Sequence, residues 1–115
     1  YLWPKLLGLA TLFLLIGAIY GPCVNVPFIF DDIGAIVQNE SIASLWPLVG
    51  ASKAGPLNPP IEIPTSARPR VNLSFAVNYA FGGTNPAGYH AVNILIHGLA
   101  TLILFGLTRR ALHLP

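Results

Sequence analysis

Asp31 and Asp32 stand side by side in the stretch PFIFDDIGAIVQN, directly behind an apolar run. Only 9% of the 115 residues are charged, and half of the four acids are gathered here. A carboxylate held beside Phe28 and Phe30 at a bilayer surface has the chemistry of a general base, able to take a proton from a hydroxyl. The plainer role is a helix cap plus a solvated acid, because Asp32 precedes Ile33, Ile36 and Val37 at helical spacing. Adjacent residues on an extended chain point to opposite sides, so one acid would face a reacting group while the other caps or orients. The pair could also touch a divalent ion, but hard cations take more oxygen ligands than two residues supply. No metal site and no cofactor is therefore expected.

Arg68 and Arg70, in ARPRVN, carry the complementary chemistry. Their forked donors suit a phosphate, and a phosphate at a membrane surface means a lipid headgroup or a lipid-linked substrate. The competing role is snorkelling, with both side chains anchoring an interfacial helix. Farther along, His90, Asn93 and His97 in YHAVNILIHG share one helix face by their three- and four-residue spacing. Polar residues within a membrane helix face other protein and bond across to it, which is the expected role of Asn93 and His97. His90, nearest the outer end, is the one placed to reach a substrate. A zinc site on the two histidines lacks further ligands.

Two apolar segments must position these groups. The first runs from about Leu2 to Tyr20, interrupted only by Lys5, and the second from about Tyr89 to Leu107, closed by Arg109 and Arg110. Each approaches the ~20 residues needed to cross a ~30 Å hydrocarbon core. With 54% hydrophobic residues and positive mean hydropathy, an ordinary soluble domain is excluded. The basic residues at the outer ends place both termini in the cytoplasm and the connection outside or in a lumen. A signal peptide is the rival reading of the first segment, but Tyr20 and Pro22 in AIYGPC make a poor cleavage site. The single Cys23 excludes an intrachain disulfide. The absent initiator Met and the end at ALHLP suggest a fragment. Nothing in the charge pattern points to nucleic acid.

Between the segments, NVPFIF reads as extended, and Ser41 begins a turn through Leu45 and Trp46, a pair suited to a membrane–water interface. ASKAGPLNPPIEIPTSA reads as an aperiodic loop, of the kind that a ligand orders. VNLSFAVNYAFGG predicts a short helix with Leu73, Ala76, Val77, Ala80 and Phe81 on one side, Asn72 and Asn78 elsewhere, and a stop at Gly82–Gly83. Asn85 and Pro86 open the second long helix as cap and first residue. NES at Asn39–Ser41 and NLS at Asn72–Ser74 match the glycosylation sequon, a pattern short enough to arise by chance. The expected organisation is a transmembrane helix over 1–20, an extracytoplasmic loop with interfacial helices over 21–85, a transmembrane helix over 86–110 and a cytoplasmic end over 111–115.

FIFDDIGAIVQNESI, followed by RPRVNLSFAVNYAFGGTNPAGYHAVNILIHGLATLILFGL, resembles the N-terminal part of the transmembrane and tetratricopeptide-repeat O-mannosyltransferases and their bacterial relatives. The ordered set of FDD, RP, NLSFAVNY, GxNPxGYH and NxxxH carries the resemblance over roughly residues 6–110. It implies an all-α integral membrane chain, one piece of a polytopic GT-C-type glycosyltransferase in an endoplasmic reticulum or bacterial inner membrane. By the same resemblance, Asp31 and Asp32 fall on the family's acidic pair, Arg68 and Pro69 on its Arg-Pro, and Tyr89, His90, Asn93 and His97 on its Tyr-His…Asn…His. The implied partners are a polyprenyl-phosphate-linked hexose, typically mannose, an acceptor protein with a Ser or Thr hydroxyl, membrane lipid and further helices. Ala67, Arg70 and Glu40 depart from the family's usual residues. A non-catalytic scaffold or assembly subunit, or a transporter subunit lined by the polar helix face, is the alternative.

Overall fold

The computed structural model describes residues 2–112. Among them every regular element is helical and no strand occurs. The chain forms two compact units, one of residues 2–25 and 90–112, the other of residues 26–89. Most of the 111–115 tail lies outside the described residues.

The first unit holds the long apolar helices. Helix α1 runs Trp3–Tyr20, opening on Pro4 in its first turn, where a missing N–H costs nothing. The helical path does not stop at Gly21–Pro22. It tightens into a 3-10 turn over Gly21–Asn25, so the start of the stretch read as extended is still coiled. Helix α3 runs Pro86–Ala111 and carries Arg109 and Arg110 in its last turn. Both are long and apolar enough to cross a membrane. Most of their large apolar side chains are exposed, and helices with so much uncovered apolar surface are stable only with lipid or protein around them. Gly98 is the close-approach point. A Cβ there would stand 3.5 Å from a ring carbon of Phe13 and 3.6 Å from Cδ1 of Ile16, the one buried residue of α1.

The second unit is built on helix α2, Pro69–Gly82. Its core gathers Ala35, Ile36, Ile42, Ala76 and Tyr89, with Phe28, Phe75 and Tyr79 packed against them. The Tyr89 ring meets Phe28 and Phe75 edge-on at 5.4 and 5.8 Å, and its hydroxyl donates to the Gly83 carbonyl at 2.9 Å. The buried face of α2 keeps Ala76 of the face expected but is turned toward Asn72. Asn72 and Ala76 are its buried residues, while Phe81 is 91% exposed. The polar Asn72 goes inward because the segments packed on it offer hydrogen-bond partners rather than apolar volume. Helix α2 ends where expected, on Gly83 at φ +60°, ψ −128°, a conformation that a Cβ would resist. Asn85 then caps α3, accepting the N–H of Ala87 at 3.0 Å.

The Pro-rich connection is a chain of hydrogen-bonded turns rather than a featureless loop. Bonds run from Ile63 N to Pro60 O, Ser66 N to Ile63 O and Arg68 N to Thr65 O at 2.8–3.1 Å. Asn58 stitches its other end, its Oδ1 accepting from Gly50 N and Gly55 N and its Nδ2 donating to Gly50 O.

Candidate functional site

The acid pair lies in the second unit, on a tight reversal of the chain. Phe30 takes a positive φ of 49° and its side chain is 88% exposed. For a bulky aromatic that conformation costs about 1–2 kcal/mol, a strain the surrounding turn must hold. Bonds from Asp32 N to Ile29 O and from Ile33 N to Phe30 O, both 3.1 Å, close the turn. Asp31 and Asp32 then enter a helical segment that widens into a π-helix over Ile33–Val37, completed by Gln38 N donating to Ile33 O at 2.9 Å. Asp32 does not cap this helix with its side chain. Its Oδ2 reaches back to the Ile29 N–H at 3.5 Å, a weak contact. Asp31 is exposed, whereas Asp32 is half-buried. The two acids are thus inequivalent: one carboxylate is turned to its own backbone and the other open to a ligand.

Arg68 and Arg70 flank the start of α2, with Arg68 at the cap position and Pro69 as first helical residue. Both are exposed, and Arg68 Nη2 reaches the Pro64 carbonyl at 3.5 Å. Pro64 also faces the acid-bearing helix, since a Cβ on Gly34 would stand 3.4 Å from its ring.

What joins the acid segment to α2 is a buried polar cluster that sequence reasoning missed. Asn39 Nδ2 donates to Ala35 O and to Asn72 Oδ1, each at 2.8 Å. Asn72 Nδ2 donates to Ser41 Oγ and to Pro56 O, each at 2.9 Å. Ser41 Oγ donates to Asn39 Oδ1 at 2.6 Å, and Thr65 Oγ1 to Asn72 Oδ1 at 2.7 Å. Asn39, Ser41, Thr65 and Asn72 are each at most 3% exposed. The turn expected to start at Ser41 is a 3-10 turn over Glu40–Ile42 capped by Asn39, whose Oδ1 takes the Ser41 N–H. The only signal in the sequence was the pair of sequons. Both acceptor asparagines are sealed in the core with their amide nitrogens already bonded, which removes them as glycan sites in the folded chain.

His90, Asn93 and His97 lie in the other unit, around a cavity of about 230 Å³ shared with Tyr20, Cys23 and Ile94. The His97 ring packs edge-on against Tyr20 at 5.2 Å. Asn93 and His97 remain exposed. No cluster of three or more His, Cys, Asp or Glu side chains suited to a metal occurs among the described residues. A larger hollow of about 660 Å³ in the second unit is lined by Glu40, Ser44, Trp46 and Lys53 among others.

The chain is 34% identical over 110 residues to Protein O-mannosyl-transferase Tmtc1 of Drosophila melanogaster, an alignment covering 93% of this chain and 13% of that protein. It is 32% identical over 98 residues to Protein O-mannosyl-transferase F38B6.6 of Caenorhabditis elegans, covering 83% and 14%. With Protein O-mannosyl-transferase TMTC4 of Mus musculus it shares 37% identity over 81 residues, covering 67% and 11%. The chain therefore spans only a small part of the length of these relatives. No protein-family model matches it, and no solved structure gives a significant match.

Proposed function

We propose, on the premise that this chain is homologous to a stretch of the TMTC protein O-mannosyl-transferases, that it forms the acid-bearing part of a membrane glycosyltransferase. The donor is a polyprenyl-phosphate-linked hexose, mannose being the natural choice, and the acceptor a Ser or Thr hydroxyl of a protein. Asp31 takes the hydroxyl proton as the acceptor oxygen attacks the anomeric carbon. The bond to the lipid phosphate breaks on the opposite face, so the anomeric configuration inverts. Arg68 and Arg70 stabilise the charge that develops on the departing phosphate. Asp32 orients the turn, its Oδ2 accepting from the Ile29 N–H. Helices α1 and α3 cross the membrane with Lys5, Arg109 and Arg110 on the cytoplasmic side, and residues 26–85 face the lumen or periplasm.

The observation that carries this reading is the inequivalence of the acids on one hydrogen-bonded turn. Asp31 is exposed at the head of a helical segment that is bonded, through Asn39 and Asn72, to the helix headed by both arginines. The test is sugar transfer by a full-length chain carrying this segment, in membranes supplied with polyprenyl-phosphate mannose and a Ser/Thr acceptor. Asp31→Asn is expected to lower turnover by about 100-fold or more at unchanged protein level, the scale of a lost general base. Asp32→Asn is expected to cost less. Full turnover by both variants would refute the assignment.

A further inference from the structure

We infer that Asn39, Ser41, Thr65 and Asn72 are positioning residues that fix the acid-bearing segment relative to the arginine-bearing helix. The inference rests on the transfer reading above and adds to it the device that holds its site in register.

Three of the hydrogen bonds form a ring. Asn39 Nδ2 donates to Asn72 Oδ1, Asn72 Nδ2 to Ser41 Oγ, and Ser41 Oγ back to Asn39 Oδ1. Each amide is used to its full capacity. Asn72 donates twice and accepts twice, and Asn39 does the same through Ala35 O, Asn72, Ser41 N and Ser41 Oγ. Flipping either amide would set donor against donor, so only one arrangement satisfies the cluster. A buried network that is fully paired specifies direction as well as contact, which apolar packing does less sharply. The apolar side chains beside it, Ala35, Ile36, Ile42 and Ala76, contribute burial without hydrogen-bond direction.

The cluster's reach to the site is short. Asn39 grips the carbonyl of Ala35, one turn beyond Asp31 and Asp32. Asn72 sits in the first turn of α2, its N–H bonded to the Arg68 carbonyl at 3.1 Å. Thr65 fastens the same hub to the turn that leads into Arg68, with Arg68 N donating to Thr65 O at 2.8 Å. A displacement of the cluster therefore passes within one helical turn to both charged pairs. Misplacement of a reacting group by about 1 Å can cost ~100-fold in rate.

Thr65→Val keeps the shape and removes a single bond, while Thr65→Ser keeps the hydroxyl. Both are made in a full-length chain carrying this segment, with Cys23→Ser and with spin labels on cysteines replacing the exposed Val37 and Ser74. Thr65→Val is expected to lower kcat for sugar transfer about tenfold with KM for donor and acceptor within about twofold. It is also expected to broaden the label-to-label distance distribution, and Thr65→Ser to restore both readings. A parental kcat in Thr65→Val, an unbroadened distribution, or a failure of Thr65→Ser to rescue would each overturn the inference. If Asp31→Asn and Asp32→Asn keep full turnover, the base assignment fails separately, and the distances and kcat of the Thr65 pair still decide the positioning role.

Discussion

Replacing Asn72 with alanine removes the hub of the buried cluster, and the cost follows from what is stranded. Asn72 is fully buried and holds four hydrogen bonds at 2.7–2.9 Å. Without it, one Asn39 amide N–H, the Thr65 hydroxyl and the Pro56 carbonyl lose their partners in a region closed to water. At about 1–3 kcal/mol for each buried group left unpaired, and with hydroxyls free to swing elsewhere, the loss comes to about 3–6 kcal/mol. That rivals the whole stability of a small folded unit. In a unit of this size ~1 kcal/mol moves the midpoint by about 4 °C or more, so thermal unfolding should shift down by at least about 12 °C. The assay is temperature-dependent proteolysis of the 26–89 unit in detergent-solubilised full-length protein. Asn78→Ala on the same helix is the control, since Asn78 is half-buried and only donates to Ser74 O at 3.3 Å. Its cost is expected to stay under about 1 kcal/mol. If the two alanine variants unfolded within a few degrees of each other, the buried-network reasoning would be wrong.

Neither sequon should carry a glycan, because Asn39 and Asn72 bury their amide nitrogens; an endoglycosidase-sensitive mobility shift lost in Asn39→Gln or Asn72→Gln would contradict this. At Phe30, whose φ is 49°, Phe30→Ile should destabilise the 26–89 unit by about 1 kcal/mol while Phe30→Asn is neutral or better, read by the same proteolysis. Gly98→Ala fits against Phe13 and Ile16 at ordinary contact distance, whereas Gly98→Leu should cost about 1–3 kcal/mol by overpacking, seen as earlier aggregation on heating in detergent. Tyr89→Phe loses only the bond to Gly83 O and should cost about 1 kcal/mol; a cost as large as that of Tyr89→Ala, about 3–5 kcal/mol, would show that the ring contacts matter less than the hydroxyl.

Much of the architecture could be read from composition and punctuation alone. Two runs of apolar residues bounded by Lys5 and by Arg109 and Arg110 declare helices that lipid or protein must surround, because apolar side chains cover most of each surface. Pro86 after Asn85, and Gly82–Gly83, mark helix ends through local backbone chemistry that acts without distant partners. The unusual residues Asp31, Asp32, Arg68 and Arg70 were visible as candidates because charge is scarce in this chain. Tertiary structure decided what local rules could not reach. The inward face of α2 holds Asn72 rather than Phe81, because partners thirty residues away in sequence satisfy its amide. Asn39 and Thr65 likewise gain their roles only once the chain folds back on itself, and the difference between Asp31 and Asp32 arises from the left-handed turn at Phe30. Periodicity reports which side chains avoid water, but a buried polar group breaks that pattern, and its compensation lies in residues no local window contains.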